Sequence, residues 1–395
     1  MPPPVLPLQL ETLVICAPGL APLVADELRA LGIVPGTVDD AGVSCSLTLD
    51  TLVRANVWLR CASRLVVRLA AGQARHFGDL EALAARVPWR GIVPPGAMVD
   101  IRATARKSRL YHTGAIAERV GRVLLAAVPT ARLADASTDD EDDDAPAQRI
   151  LVRLDRDACT ISADTSGALL HRRGWRQATA KAPMRETLAA AVLQASGWRP
   201  DQPLWDPCCG AGTLVIEAAL CATGAAPGGA RGFAFVAWPA WATRAARLLQ
   251  AVQAEARAAV RPVAIGQFTA TDRDAGAVAA VRANAARAGV AELIRVEQVA
   301  VEDAVTPDGH GWIVSNPPYG KRVHAGGSAS PQATSRLASL YATLGARARA
   351  AAWELALLTD DAALARAAGL AATPVLRTTN GGLPVGVWAT RAPTR

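Results

Sequence analysis

The sequence predicts an α/β protein. Its C-terminal half reads as a doubly wound, mostly parallel sheet with a final antiparallel strand pair, preceded by two smaller α+β units. Three observations predict this. From about residue 183, short apolar segments alternate with Ala-rich helical stretches, the signature of strand–helix repeats. The segment "PLWDPCCGAGTLVIEAA" runs from a strand through a glycine turn into a helix. The segment "WIVSNPPYGKR" ends a short apolar strand on two prolines, which cannot donate to a ladder.

Taken in order, "ETLVICA" is a strand and "PGLAPLVADELRALG" a helix that ends at Gly32. "GVSCSLTLD" alternates Val43, Cys45, Leu47 and Leu49 on one face, a half-buried strand. A helix near 50–60 and a strand near 64–71 complete a first unit, residues 1–71. The second unit, 72–168, has a helix near 79–87, a strand in "AMVDIRATA", a helix in "YHTGAIAERVGRVLLAA" and paired strands in "RILVRLDRDACTISADTS". The acidic run "DDEDDD" at 139–144 reads as a solvated loop tip within it. Residues 169–182 read as a linker. In 183–395 the strands "PLWD", "AIGQFTATD", "LIRVEQVA", "GWIVS" and "WELALLT" are followed by the closing pair "TPVLRTT" and "LPVGVWAT".

With 395 residues, 51% of them hydrophobic, the chain can build more than one core. No apolar run is long enough to span a bilayer, and "MPPPVLPLQLETLV" lacks the layout of a signal peptide, so a cytoplasmic protein is expected. The seven cysteines are scattered, with no C-x-x-C pair, and His76, His310 and His324 have no metal-ligand spacing, so no metal is expected. The acidic run holds six of the 35 acidic residues, leaving 29 against 42 basic ones for the rest. That excess favours a polyanionic partner. Only three of the basic residues are lysines, which coding bias explains; it does not explain the excess itself.

The glycine turn carries the first chemistry. Gly210 and Gly212 let backbone approach a ligand at the sheet edge, and the following helix N-terminus favours a carboxylate. A dinucleotide fingerprint would place a third glycine where Val215 stands, and Asp206 would repel a pyrophosphate. A cationic amino-acid ligand, S-adenosylmethionine, fits better than NAD. Asp272, ending the next strand, can accept both hydroxyls of a ribose, while Asp274 reads as a helix cap. Asp303 follows the third strand and can accept from an adenine amine or stand as a surface acid. After the fourth strand, Pro317 and Pro318 stiffen the backbone so that the Asn316 oxygen and the Pro317 carbonyl aim at one spot, with Tyr319 as a flat surface beside them. Two fixed acceptors and a ring suit a planar base with an exocyclic amine; the alternative is a proline-ended strand with a surface tyrosine.

These residues resemble a known family. "DPCCGAGT" followed by "NPPYG" resembles class I S-adenosylmethionine-dependent methyltransferases that act on an amino nitrogen. "SRLYHTGAIAERV" and "ADTSGALLHRRGWRQATAKAPMRETLAAAVL" are similar to THUMP-domain RNA methyltransferases that modify guanine N2. The resemblance covers nearly the whole chain. It implies a ferredoxin-like domain (1–71), a THUMP RNA-binding domain (72–168), a linker and a Rossmann-like methyltransferase domain (183–395). By position it implies that Asp206, Pro207, Cys209, Gly210, Gly212 and Thr213 hold the methionine part of the cofactor. Asp272 would take the ribose and Asp303 the adenine, with Pro183, Glu186 and Thr187 on the cofactor's open side. Asn316, Pro317, Pro318 and Tyr319 would hold the target base.

Cys208 and Ala211 depart from the larger residue and the serine common in the family, and a long insertion separates Asp206 from Asp272. Phe233, Phe235, Trp238 and Trp241 of that insertion read as a packed cluster rather than a base-stacking platform. RNA contacts are expected from Arg102, Arg106, Lys107, Arg109 and His112, and from His171, Arg172, Arg173 and Arg176. The activity implied is methylation of guanine N2 in 23S rRNA or tRNA. A DNA or protein amino-methyltransferase, or a non-catalytic RNA-binding factor, is the alternative.

Overall fold

The computed structural model describes residues 6–134, 148–177, 184–264, 266–319 and 331–390; Pro183 and the acidic run at 139–144 lie outside the described residues. Two compact units emerge. The first comprises Met1–Cys16, Val24–Leu170 and Gly228–Glu255, the second Ala17–Leu23, His171–Pro227 and Ala256–Arg395.

Alternating burial builds the first unit. Its elements are β1 (Leu10–Cys16), α1 (Ala21–Ala30), β2 (Val38–Asp39), β3 (Gly42–Leu47), α2 (Leu49–Trp58), β4 (Ala62–Gln73), α3 (Phe77–Ala85), α4 (Trp89–Ile92), β5 (Met98–Arg106), α5 (Thr113–Ala127), β6 (Arg132–Leu133), β7 (Gln148–Asp155) and β8 (Ala158–Asp164). Val43, Cys45 and Leu47 are buried on β3, as their spacing predicts. Leu49 instead opens α2, because the Thr48 hydroxyl accepts from Thr51 N (3.3 Å) and the Thr51 hydroxyl accepts from Thr48 N (2.9 Å), a capping box. The strands form one sheet in the order β2-β3-β1-β4-β8-β7-β5-β6. Twelve-residue β4 is its spine. Its first half pairs with β1 (Thr12 opposite Val67), and from Val66 to Gln73 its other edge pairs with β8 (Gln73 opposite Ala158). The expected boundary at 71/72 therefore falls inside a strand. Buried Asn56 locks α2 to the end of β8, donating to Thr165 Oγ1 (3.2 Å) and accepting from Ser166 Oγ (2.7 Å).

The second unit contains α6 (Glu186–Ser196), β9 (Leu204–Asp206), α7 (Thr213–Ala222), the end of α8 (Ala242–Ala258), β10 (Phe268–Asp272), α9 (Ala275–Arg287), β11 (Ile294–Gln298), β12 (Trp312–Ser315), α10 (Pro331–Ala351), β13 (Glu354–Thr359), α11 (Ala362–Ala367), β14 (Leu376–Asn380) and β15 (Leu383–Ala389). Sheet order is β11-β10-β9-β12-β13-β15-β14. The first five run parallel, and β15 is antiparallel to β13 and β14, the doubly wound sheet with a closing pair that the alternation predicts. The strand order reverses direction between β9 and β12, so the crevice at their carboxyl ends is the topological switch point.

The aromatic insertion packs into the first unit. Phe235 and Trp238 are fully buried, Trp238 stacks on Trp241 (centroids 4.7 Å), and the Trp238 indole donates to Gln148 Oε1 (2.7 Å). Phe235 N donates to Thr165 O (3.1 Å), and Arg54 makes a two-pronged ion pair with Glu255 (3.0 and 2.8 Å). These rings are core, as expected.

Candidate active site

The crevice is assembled from what the strands do when they stop. β9 ends at Asp206, and a glycine loop carries the chain to α7. Gly210 (φ 53°) and Gly212 (φ 83°) lie in the left-handed region. A Cβ on Gly212 would meet Val281 Cγ1 at 2.9 Å, whereas one on Gly210 would meet open space. The loop is strapped to β10: Cys209 N donates to Thr271 O (3.1 Å) and Gly210 N to Asp272 Oδ2 (3.0 Å). Asp272 also accepts from Asp274 N (3.0 Å), and Asp274 caps α9 through Ala277 N (2.7 Å). Asp303 sits exposed in the turn after β11.

Asp206 is 2% exposed and forms no ion pair among the described residues. Its Oδ1 accepts from Ser315 Oγ (2.6 Å) and Cys208 N (3.3 Å). Burial pushes its carboxyl up to about 7; those two donors pull it down and the nearby Asp272 charge adds to the rise. Burial likewise holds the Cys208 and Cys209 thiols above their usual value. Ser315 ends β12, and the next residue, Asn316, has a buried Oδ1 that accepts no hydrogen bond among the described residues. Pro317 is buried and Pro318 exposed.

Tyr319 corrects the expectation of a presented ring. It is 2% exposed, part of the apolar core, and its hydroxyl accepts from Asn380 Nδ2 (2.7 Å) on β14. A ring packed on all sides offers no open face for stacking.

The 171–176 segment is a second correction. Arg173 and Glu217, side chains 3% and 1% exposed, pair at 3.3 Å. Arg176 faces Glu186 (3.1 Å) and donates to Thr213 Oγ1 (2.8 Å) and Met184 O (2.6 Å). Burial, then the charges of Arg185, Arg172, Arg176 and Arg173, push His171 down to about 3, so it is neutral at pH 7. Arg173 is buried, while His171, Arg172 and Arg176 are half-buried, and Arg173 and Arg176 are held by carboxylates rather than presented outward. Glu186 and Thr187 are buried at the start of α6. Burial raises the Glu186 carboxyl to about 7 against the lowering effect of Arg176.

In the first unit, Arg102 is bound to Asp100 (2.9 Å), which Arg149 also grips (2.8 Å). Arg106, Lys107, Arg109 and His112 are exposed between β5 and α5, and His112 Nδ1 accepts from Ala115 N (3.1 Å) to cap that helix. Tyr111, 79% exposed among them, was missed by the sequence reading although its neighbours were marked. Ser315 was missed too, hidden beside the louder "NPPY". Among the described residues, no group of three or more His, Cys, Asp or Glu side chains could hold a metal, and no helix is long and apolar enough to cross a membrane.

A doubly wound sheet with a glycine cradle, a buried acid and a proline-stiffened Asn at its switch point defines a Rossmann-like transferase domain. Residues 173–385 match the family described as RMKL-like, methyltransferase domain, and the chain belongs to it. Residues 11–66 match the RlmL ferredoxin-like domain and 74–164 the THUMP domain. A relative in Syntrophotalea carbinolica, "Ribosomal RNA large subunit methyltransferase K/L", is 36% identical over 384 residues, 92% of this chain and 51% of that protein. This chain thus spans about half the length of that curated relative. The crystal structure of SMU.472 complexed with SAH is 28% identical, with a TM-score of 0.83 over 99% of this chain and all of that one. A structure described as a predicted N6-adenine-specific DNA methylase from Listeria monocytogenes is 27% identical, with a TM-score of 0.82 over 98% of this chain and 97% of that one.

Proposed function

We propose that this chain transfers a methyl group from S-adenosylmethionine to the exocyclic N2 of a guanine in structured RNA, ribosomal or transfer. One observation carries the reading: the buried Asn316 Oδ1, unpartnered among the described residues and fixed by Pro317 and Pro318 at the switch point. A buried acceptor without a donor costs about 1–3 kcal/mol, so its retention fits a ligand that brings the donor.

The crevice suits the cofactor. Asp206, buried without a counter-ion among the described residues, matches a cationic amino acid, and Gly210 opens onto free space. In this reading Asp206, Pro207, Cys209, Gly210, Gly212 and Thr213 form the methionine cradle; Asp272 takes the ribose and Asp303 the adenine. Glu186 and Thr187 back the cradle, Glu186 through Arg176 and Thr213. When bound, S-adenosylmethionine supplies a methyl group on a positively charged sulfur.

The chain's own work is to hold the amine. Its lone pair is delocalised into the ring and is a poor nucleophile. Asn316 Oδ1 and the Pro317 carbonyl accept its two N–H groups and favour the charge that develops on nitrogen, preorganised electrostatics rather than base catalysis. Tyr319, buried and bonded to Asn380, anchors the tetrad from behind rather than stacking on the base. The guanine must already be unpaired or leave its helix to reach it. Arg106, Lys107, Arg109 and His112 contact phosphate, which positions RNA without reading its sequence.

The family match and the name of the Syntrophotalea relative support this reading. The test uses the purified chain, labelled S-adenosylmethionine, and ribosomal RNA, transfer RNA and DNA from cells lacking the gene. N2-methylguanosine in one RNA fraction is the expected product. N6-methyladenine in DNA would instead support the activity named for the Listeria structure.

A further inference from the structure

Ser315 joins the two sides of the crevice through a side-chain hydrogen bond. It is the last residue of β12, fully buried, and its hydroxyl donates to Asp206 Oδ1 at 2.6 Å. Asp206 is the last residue of the neighbouring β9 and leads directly into the glycine loop. Asn316, with its unpartnered Oδ1, is bonded directly to Ser315. A single hydrogen bond therefore bridges the loop that cradles one ligand and the tetrad that faces the other. We propose that Ser315 is a positioning residue that favours the charged form of Asp206 and aims that carboxyl at the cofactor while fixing Asn316 in register with it.

The chemistry is specific. Asp206 has no cation beside it among the described residues; the groups that face it are Ser315 Oγ from β12, Cys208 N and the Cys208 and Cys209 thiols from its own loop, and Asp272 from β10. Of these only Ser315 and Cys208 N stabilise the charged form; burial and Asp272 oppose it. Hydrogen bonds to charged groups are stronger than neutral ones. Loss of the Ser315 hydroxyl moves the titration of Asp206 to higher pH. A cationic ligand on that carboxylate must then displace a larger fraction of a proton from Asp206 near neutrality, and its affinity there falls.

This inference rests on the methyl-transfer reading, and the experiment separates the two. Binding of S-adenosylhomocysteine is measured by calorimetry from pH 5.5 to 9, in buffers of different ionisation enthalpy, for the wild type, Ser315→Ala and Ser315→Thr. The wild type should bind with proton release that fades above pH 8. Ser315→Ala should bind about tenfold more weakly at pH 7, release more protons and recover toward wild-type affinity at pH 9. Ser315→Thr, which keeps the hydroxyl, should restore the wild-type profile. On RNA, Ser315→Ala should lower kcat even at saturating cofactor. Unchanged affinity and pH profile in Ser315→Ala would overturn the inference and leave the reading standing. Failure of the wild type to bind would overturn the reading itself. If Ser315→Ala does not fold, absence of pH-dependent proton release in the wild type overturns the inference alone.

Discussion

At Asp206 the fold and the proposed ligand favour different protonation states. Burial raises the carboxyl to about 7, so the unliganded fold prefers it neutral, whereas a cationic ligand prefers it charged. The sign of the stability effect follows. A carboxyl raised in the fold gives full stability below its usual value near 4 and loses it as pH rises through about 7. Asp206→Asn should therefore stabilise the unliganded protein by about 2 kcal/mol at pH 8, a gain that vanishes toward pH 4, while weakening cofactor binding. Melting temperatures across pH, paired with calorimetry, check both halves. Asn316→Ala should do the reverse: cofactor affinity stays, and turnover falls by about 10²–10³. Single-turnover rates on RNA with saturating cofactor measure that loss. Asp272→Ala should loosen the cofactor, because it removes the proposed ribose acceptor together with the strap on Gly210 N; normal cofactor affinity in this variant would remove Asp272 from the site.

At the scale of elements, much was legible. The strands of both sheets other than the two-residue β2 and β6, the glycine turn into α7, the Asp274 cap and the closing antiparallel pair follow from period, punctuation and capping chemistry, which act over a few residues. What escaped depends on partners distant in sequence. Arg173 reads as a phosphate ligand until Glu217 meets it from 44 residues away, and Tyr319 reads as exposed until Asn380 meets it from 61. A lone arginine carries no local sign of whether it is paired. The two arginine groups should therefore separate by experiment. Arg106→Ala with Arg109→Ala should weaken RNA binding and flatten its salt dependence, with little change in stability. Arg173→Ala should cost about 3–5 kcal/mol of stability, since it removes a buried ion-pair partner from Glu217. Denaturant titration and filter binding at several salt concentrations, run on both variants, distinguish them.

At the scale of the molecule, the expected ferredoxin-like and THUMP segments share the β4 spine and one eight-stranded sheet. Their fates are joined: β4 cannot fray at one edge without exposing the other. Trp238→Ala, removing a fully buried indole and its bond to Gln148, should cost about 3–5 kcal/mol, read from chemical denaturation. Local patterns could not reveal that the insertion belongs to the first unit, because its anchors, Thr165, Gln148 and Gly91, lie on other elements.

The first unit is threaded from three separate stretches, the last of them Gly228–Glu255. A gene cut after Leu170 would leave its N-terminal product without the tryptophan pair and its C-terminal product carrying 28 orphaned residues with exposed rings. The module borders drawn along the sequence are thus poor places for scissors. A recombinant swap of the first unit among relatives must carry residues 228–255 with it, and shuffling that ignores them would select for aggregates rather than for new specificity.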